Sequence, residues 1–139
     1  MPEGVLLLDT HVWLWLLSGE GALKASGVRV IEEAASHGLV RVSIISVWEV
    51  AMLEAKGRIR LSKDCRSWVD EALRAPGIAL VPLTPEIAVE SSRLPGTFHG
   101  DPADRILVAT ARRERAILLT RDERILAYGK KKHLSTMSV

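Results

Sequence analysis

Five acidic side chains occupy positions from which a folded chain can aim them at one divalent ion. Asp9 directly follows the apolar run Val5-Leu6-Leu7-Leu8, and Asp122 follows Ile117-Leu118-Leu119 after Thr120-Arg121. Glu49 closes Ser46-Val47-Trp48-Glu49 shortly after Arg41-Val42-Ser43, while Asp101 and Asp104 open Asp101-Pro102-Ala103-Asp104-Arg105-Ile106-Leu107. Ionised carboxylates a few ångströms apart raise one another's pKa unless a divalent cation neutralises them. The chain has a single cysteine, Cys65, which excludes an internal disulfide framework and a multi-cysteine zinc site. Oxygen ligands alone point to a hard ion, Mg²⁺ or Mn²⁺, bound for chemistry rather than for folding.

Each acid also has a purely structural explanation. Ser46 to Glu49 and Thr120 to Glu123 read as capping boxes, and Asp101 before Pro102 reads as an N-cap with proline at the first helical position. Asp104 is then a first-turn acid favoured by the helix dipole, and Asp9 caps a helix beginning at Thr10. What separates the two readings is whether the fold carries these helix starts to one edge.

The elements that would do so are visible in the hydropathy. Val5 to Leu8, Leu39 to Val42, Ile78 to Val81 and Ala116 to Leu119 read as buried strands. Between them lie helical stretches marked by Val47, Val50, Ala51 and Leu53, by Trp68, Ala72 and Leu73, and by Ile106, Leu107, Val108 and Ala111. Alternating strands and helices predict an α/β fold with a mostly parallel sheet covered on both faces. In such a sheet the crevice lies beyond the carboxyl ends of the strands, where the acids stand.

The 139 residues, 47% hydrophobic and 26% charged, suit one domain, 1–139, with a core large enough to need no metal or disulfide staple. Lys130, Lys131 and Lys132 begin a polar stretch, 130–139, expected as a mobile tail. The formal charge of +2 proves no nucleic-acid partner. The apolar opening from Val5 to Leu17 is interrupted by Asp9 and His11 and is too short for a membrane span. No membrane association and a cytoplasmic location are expected.

Other residues invite functional readings. His11 and His99 suggest proton shuttles or metal ligands, the roles open to an imidazole, but a hydrogen-bonded structural role suffices for both. Trp13, Trp15 and Trp48 can stack on bases, although core or interface packing explains them as well. Arg112-Arg113-Glu114-Arg115 and Arg121 either guide phosphates or form a solvated face. An aspartyl-phosphate phosphatase also starts with an Asp after an apolar strand, but its usual second acid two residues on is replaced by His11.

Four segments in order carry a family resemblance: Leu6-Leu7-Leu8-Asp9-Thr10-His11-Val12-Trp13, Ser46-Val47-Trp48-Glu49-Val50-Ala51, His99-Gly100-Asp101-Pro102-Ala103-Asp104-Arg105-Ile106, and Leu119-Thr120-Arg121-Asp122. In order and spacing the chain resembles the PIN-domain ribonucleases, specifically the VapC-type toxins of toxin-antitoxin pairs. The resemblance implies a three-layer α/β/α sandwich and an acidic pocket binding Mg²⁺ or Mn²⁺. Carried over residue by residue, it makes Asp9, Glu49, Asp104 and Asp122 the catalytic acids, with Asp9 and Asp104 as first-choice metal ligands and Glu49 and Asp122 as a possible second site. Asp101, Thr10 and Thr120 become polar supports of those carboxylates. The implied reaction is metal-assisted hydrolysis of an RNA phosphodiester, the implied partners an RNA substrate, a protein antitoxin and a second copy in a homodimer. A non-catalytic RNA- or protein-binding module on the same fold is the alternative.

Overall fold

The computed structural model describes residues 4–19 and 22–139. In chain order these form β1 (Leu6–Leu8), α1 (Thr10–Ser18), α2 (Ala25–Ser36), β2 (Val40–Ser43), α3 (Ile44–Ala55), α4 (Cys65–Leu73), β3 (Ile78–Val81), α5 (Pro85–Ser91), α6 (Pro102–Glu114), β4 (Ile117–Thr120), α7 (Glu123–Lys130) and β5 (Ser135–Ser138). All strand pairs are parallel and the order across the sheet is β3-β2-β1-β4-β5.

The central strand explains the layering. Successive side chains of a strand point to opposite faces, so Leu7 enters one core with Leu107, Val108, Leu118, Ile125 and Tyr128, from β4, α6 and α7. Leu6 and Leu8 enter the other with Val12, Trp13, Ile31, Val50 and Ala72, from α1, α2, α3 and α4. Burial on both faces is why Leu6-Leu7-Leu8 is continuously apolar. The expected α/β/α sandwich is the observed architecture. Among the described residues no helix is long and apolar enough to cross a membrane.

After β1 the chain winds outward through β2 and β3, then returns to lay β4 on the other side of β1. The order reverses between β1 and β4, which makes a crevice at their carboxyl ends. Glycine is required where the chain enters β3. Gly77 has φ +83°, and a Cβ there would lie 1.9 Å from the Ala35 carbonyl oxygen at the end of α2.

The mobile tail expected for residues 130–139 is corrected by the structure: the lysines turn the chain, and Ser135–Ser138 pairs with β4 from Ile117↔Ser135 to Thr120↔Ser138. As the edge strand, β5 is paired on one side only and is only partly covered, so it carries no apolar run. Its anchor is Val139, 1% exposed, whose carbonyl accepts the Lys24 N–H and whose side chain packs on Gly27.

Candidate active site

Asp9 leaves β1 at the switch point, and its backbone N–H donates to Leu119 O of β4. It occupies the N-cap position of α1, yet its side chain makes no capping bond. The carboxylate turns aside to accept a hydrogen bond from Thr120 Oγ1 at 2.6 Å. The capping explanation therefore fails for Asp9, which is 8% exposed. Burial pushes its pKa above the ordinary value, against the Thr120 bond that pulls it down.

Glu49 is likewise no helix cap. α3 begins at Ile44, with Ser43 as N-cap accepting from Ile45 N–H, so the expected Ser46 to Glu49 box lies inside the helix. Ser46 is fully buried and bonds to Thr10 Oγ1 at 2.8 Å. The same Thr10 hydroxyl donates to Glu49 Oε1 at 2.7 Å. Burial raises the Glu49 pKa, the Thr10 bond lowers it and the Asp9 charge raises it.

The two remaining acidic segments keep their capping roles. Asp101 caps α6, accepting from Asp104 N–H at 3.1 Å before Pro102. The box expected from Thr120 to Glu123 is replaced by Asp122, whose Oδ1 accepts from Arg124 N–H and Ile125 N–H. Thr120 instead accepts Asp122 N–H at 3.0 Å. Asp104, in the first turn of α6, bears the largest perturbation. Burial, followed by the charges of Asp101, Asp9, Asp122 and Glu49, holds its pKa up at about 7. His99 Nε2 lies 3.2 Å from Asp104 Oδ2, without hydrogen-bond alignment.

Asp9, Glu49, Asp101, Asp104 and Asp122 line one cleft of about 440 Å³. The fold thus brings together all five acids expected from sequence, and the mutual charge effects on Asp104 express their proximity. Among the described residues no three His, Cys, Asp or Glu side chains close around a point to cage an ion unaided. A divalent ion here would take one or two carboxylates and keep water in its other positions, the usual habit of Mg²⁺. The oxygen-only donor set and the raised carboxyl pKa values fit such an ion.

The rest of the wall is partly unexpected. His11, given a structural role from sequence, is exposed and lines the cleft, its ring 5.7 Å from that of Trp15. Arg121 lies over the Trp15 ring at 5.4 Å and donates to the Ala22 carbonyl, so its guanidinium is held at the same wall. Trp13 is core, edge-on to Trp68, whereas Trp48 is 56% exposed. Arg105 has a role that sequence does not announce. It donates to the carbonyls of Ser91, Phe98 and His99 and so pins the loop leading to Asp101, a contact that no local spacing announces.

Comparison with known proteins agrees with this geometry. The PIN-domain family matches residues 6–131. The chain is 34% identical over 123 residues to ribonuclease VapC22 of Mycobacterium tuberculosis, covering 88% of this chain and 91% of the relative. Its fold resembles that in VapBC2 of Rickettsia felis bound to a promoter DNA fragment, with TM-score 0.69, 15% identity and 96% and 98% of the two chains covered. It also resembles DNA-bound VapBC of Salmonella typhimurium, with TM-score 0.67, 14% identity and 98% of each chain covered. Fold, acidic cleft and sequence together show that this chain belongs to the PIN-domain family, as a homologue of the VapC ribonucleases.

Proposed function

We propose that this protein is a divalent-metal-dependent ribonuclease, the toxin of a toxin-antitoxin pair, acting in the cytoplasm on RNA phosphodiester bonds. The observation that carries the reading is the cleft in which Asp9, Glu49, Asp101, Asp104 and Asp122 converge, where burial, followed by the charges of the other four acids, holds the Asp104 pKa up at about 7. A group of acids that cannot all ionise unaided is a site prepared for a cation.

In this reading Asp9 and Asp104 hold Mg²⁺ or Mn²⁺ directly. Glu49 and Asp122 orient water or complete a second site. When bound, the ion supplies Lewis-acid polarisation of the phosphoryl group and lowers the pKa of water. Thr120 and Thr10 fix the carboxylates of Asp9 and Glu49 by donating to them, and Asp101 sets the first turn of α6. Arg121, braced on Trp15, offers a guanidinium to a phosphate oxygen at the mouth.

The antitoxin partner would place an Arg or Lys among the same acids, pairing with them and excluding the ion. Trp48, exposed on α3 beside Glu49, supports a homodimer or partner face because aromatic residues commonly anchor interfaces. Growth assays test the toxin reading. Expression alone should arrest the host, Asp9→Ala should abolish the arrest, and co-expression of the antitoxin should relieve it. Harmless wild-type protein at equal expression contradicts it.

A further inference from the structure

The edge of the sheet opposite the acidic cleft is strongly basic. Where α6 and α7 end, a cavity of about 530 Å³ is lined by Arg112, Arg115, Lys132 and His133. An adjoining hollow of about 430 Å³ shares Arg112 and Arg115 and adds Arg93 and Arg113. The acid lining that hollow, Glu90, is engaged with Arg113 at 3.7 Å. We propose that this face binds the phosphodiester backbone of the RNA cut in the acidic cleft, several nucleotides away from the scissile bond; the inference rests on the ribonuclease reading above.

Three observations favour a polyanion over a solvated surface or a peptide. First, helix dipoles do not account for the charge. Each helix C-terminus carries about half an elementary negative charge, so α6 and α7 together match roughly one cation, and the face presents several. Second, Arg115 at φ 52° and Lys132 at φ 64° are the non-glycine residues of positive φ among the described residues, and both line this cavity. The left-handed conformation favours glycine, yet cations stand at both positions. Third, the large exposed apolar residues Leu17, Trp48, Leu80, Leu83 and Val89 line neither hollow, and the leucines that do, Leu94 and Leu134, are buried, so a peptide would find no large exposed apolar anchor there.

Geometry sets the size of the RNA. Asp104 and Arg115 mark the two ends of α6, about 17 Å apart at 1.5 Å per residue. The Arg112 to Arg115 run therefore cannot deliver a phosphate into the cleft itself. It can hold a remote part of a folded RNA, which a short oligonucleotide cannot span.

The test compares wild type with Arg115→Gln/Lys132→Gln and with the triple variant that adds Arg112→Gln. All three substituted side chains are exposed, but Arg112 also donates to the His133 carbonyl, so thermal melts accompany both variants and the double variant stands if the triple fails to fold. Fluorescence anisotropy in chelator measures binding of a stem-loop RNA across a salt series, and steady-state kinetics with Mn²⁺ measure cleavage. The triple variant should bind the stem-loop at least tenfold more weakly, with a salt slope shallower by about 2, from roughly 0.7 per phosphate contact. The double variant should fall between. KM for the stem-loop should rise with kcat unchanged, and a short single-stranded oligonucleotide should be cleaved as by wild type. Unchanged stem-loop affinity and salt slope in variants of a cleaving wild type overturn this inference alone. Equal competition by polyglutamate of matched charge also overturns it, in favour of an acidic protein partner. A wild type that neither binds nor cleaves any RNA removes the ribonuclease reading and this inference with it.

Discussion

The Thr120 hydroxyl donates to Asp9 Oδ2 at 2.6 Å and accepts the Asp122 N–H at 3.0 Å. One side chain at the end of β4 thus fixes two acids that flank the switch point. Thr120→Val keeps the shape and removes both bonds. Loss of a hydrogen bond to a carboxylate costs about 1.5–3 kcal/mol, and loss of a group orienting a metal ligand lowers activity roughly 10- to 100-fold. The Asp9 pKa should rise further, because the Thr120 bond opposes the burial that lifts it. Urea melts and a pH–rate profile check this: the acidic limb of the profile should move to higher pH.

Asp104 makes the metal-free protein sensitive to pH in the unusual direction for a carboxylate. Its pKa is about 7 in the fold against an ordinary value of 3.8. Between those values the native state binds more protons than the unfolded chain, so this group's stabilising effect is fullest below about 3.8. It is lost as pH rises and is gone above about 7. Asp104→Asn should therefore stabilise the ion-free fold at pH 8 by about 1–2 kcal/mol after solvent screening, a rise of roughly 3–8 °C. Thermal melts in chelator at several pH values show it as a flatter profile.

Divalent ions should reverse that trend. Binding to ionised carboxylates releases protons, so stabilisation by Mn²⁺ should grow as pH rises through about 7 and shrink in Asp9→Asn and Asp104→Asn. Melts with and without Mn²⁺ measure the difference; equal shifts in wild type and both variants would place the ion elsewhere.

The strands that carry Asp9 and Asp122 were legible because both faces of a central parallel strand are buried, which leaves an uninterrupted apolar run. Glu49 was legible by position but not by reason. Its S-x-x-E spacing imitates a cap, and only the Thr10 contact across 39 residues distinguishes the two roles. β5 was illegible because an edge strand that is partly covered has no hydropathy signature, and Val139 alone marks its inward end. The exposure of His11 was not legible, because sequence shows its apolar neighbours but not that the first turn of α1 turns it outward to the cleft.

Arg105 supplies another outcome. Its guanidinium satisfies the carbonyl of Ser91 at the end of α5 and the loop carbonyls of Phe98 and His99, a fork that a lysine cannot reproduce. Arg105→Lys should lose about 2 kcal/mol, the scale of leaving partly buried carbonyls unpaired. Amide exchange should quicken from residue 92 to 101 while β1 and β4 stay protected, as measured by hydrogen exchange with mass spectrometry.

Hydrolysis of RNA in one acidic cleft, with a divalent ion held by Asp9 and Asp104, is tested most directly by the cleavage rate of a labelled RNA by purified protein in Mn²⁺ and in chelator, for wild type, Asp9→Asn and Asp104→Asn, each shown to be folded by thermal melting. Wild type should cleave in Mn²⁺ and stop in chelator, and both variants should lose at least about 100-fold, equivalent to about 2.7 kcal/mol in the barrier. Cleavage that persists in chelator, or that survives undiminished in both folded variants, would contradict it.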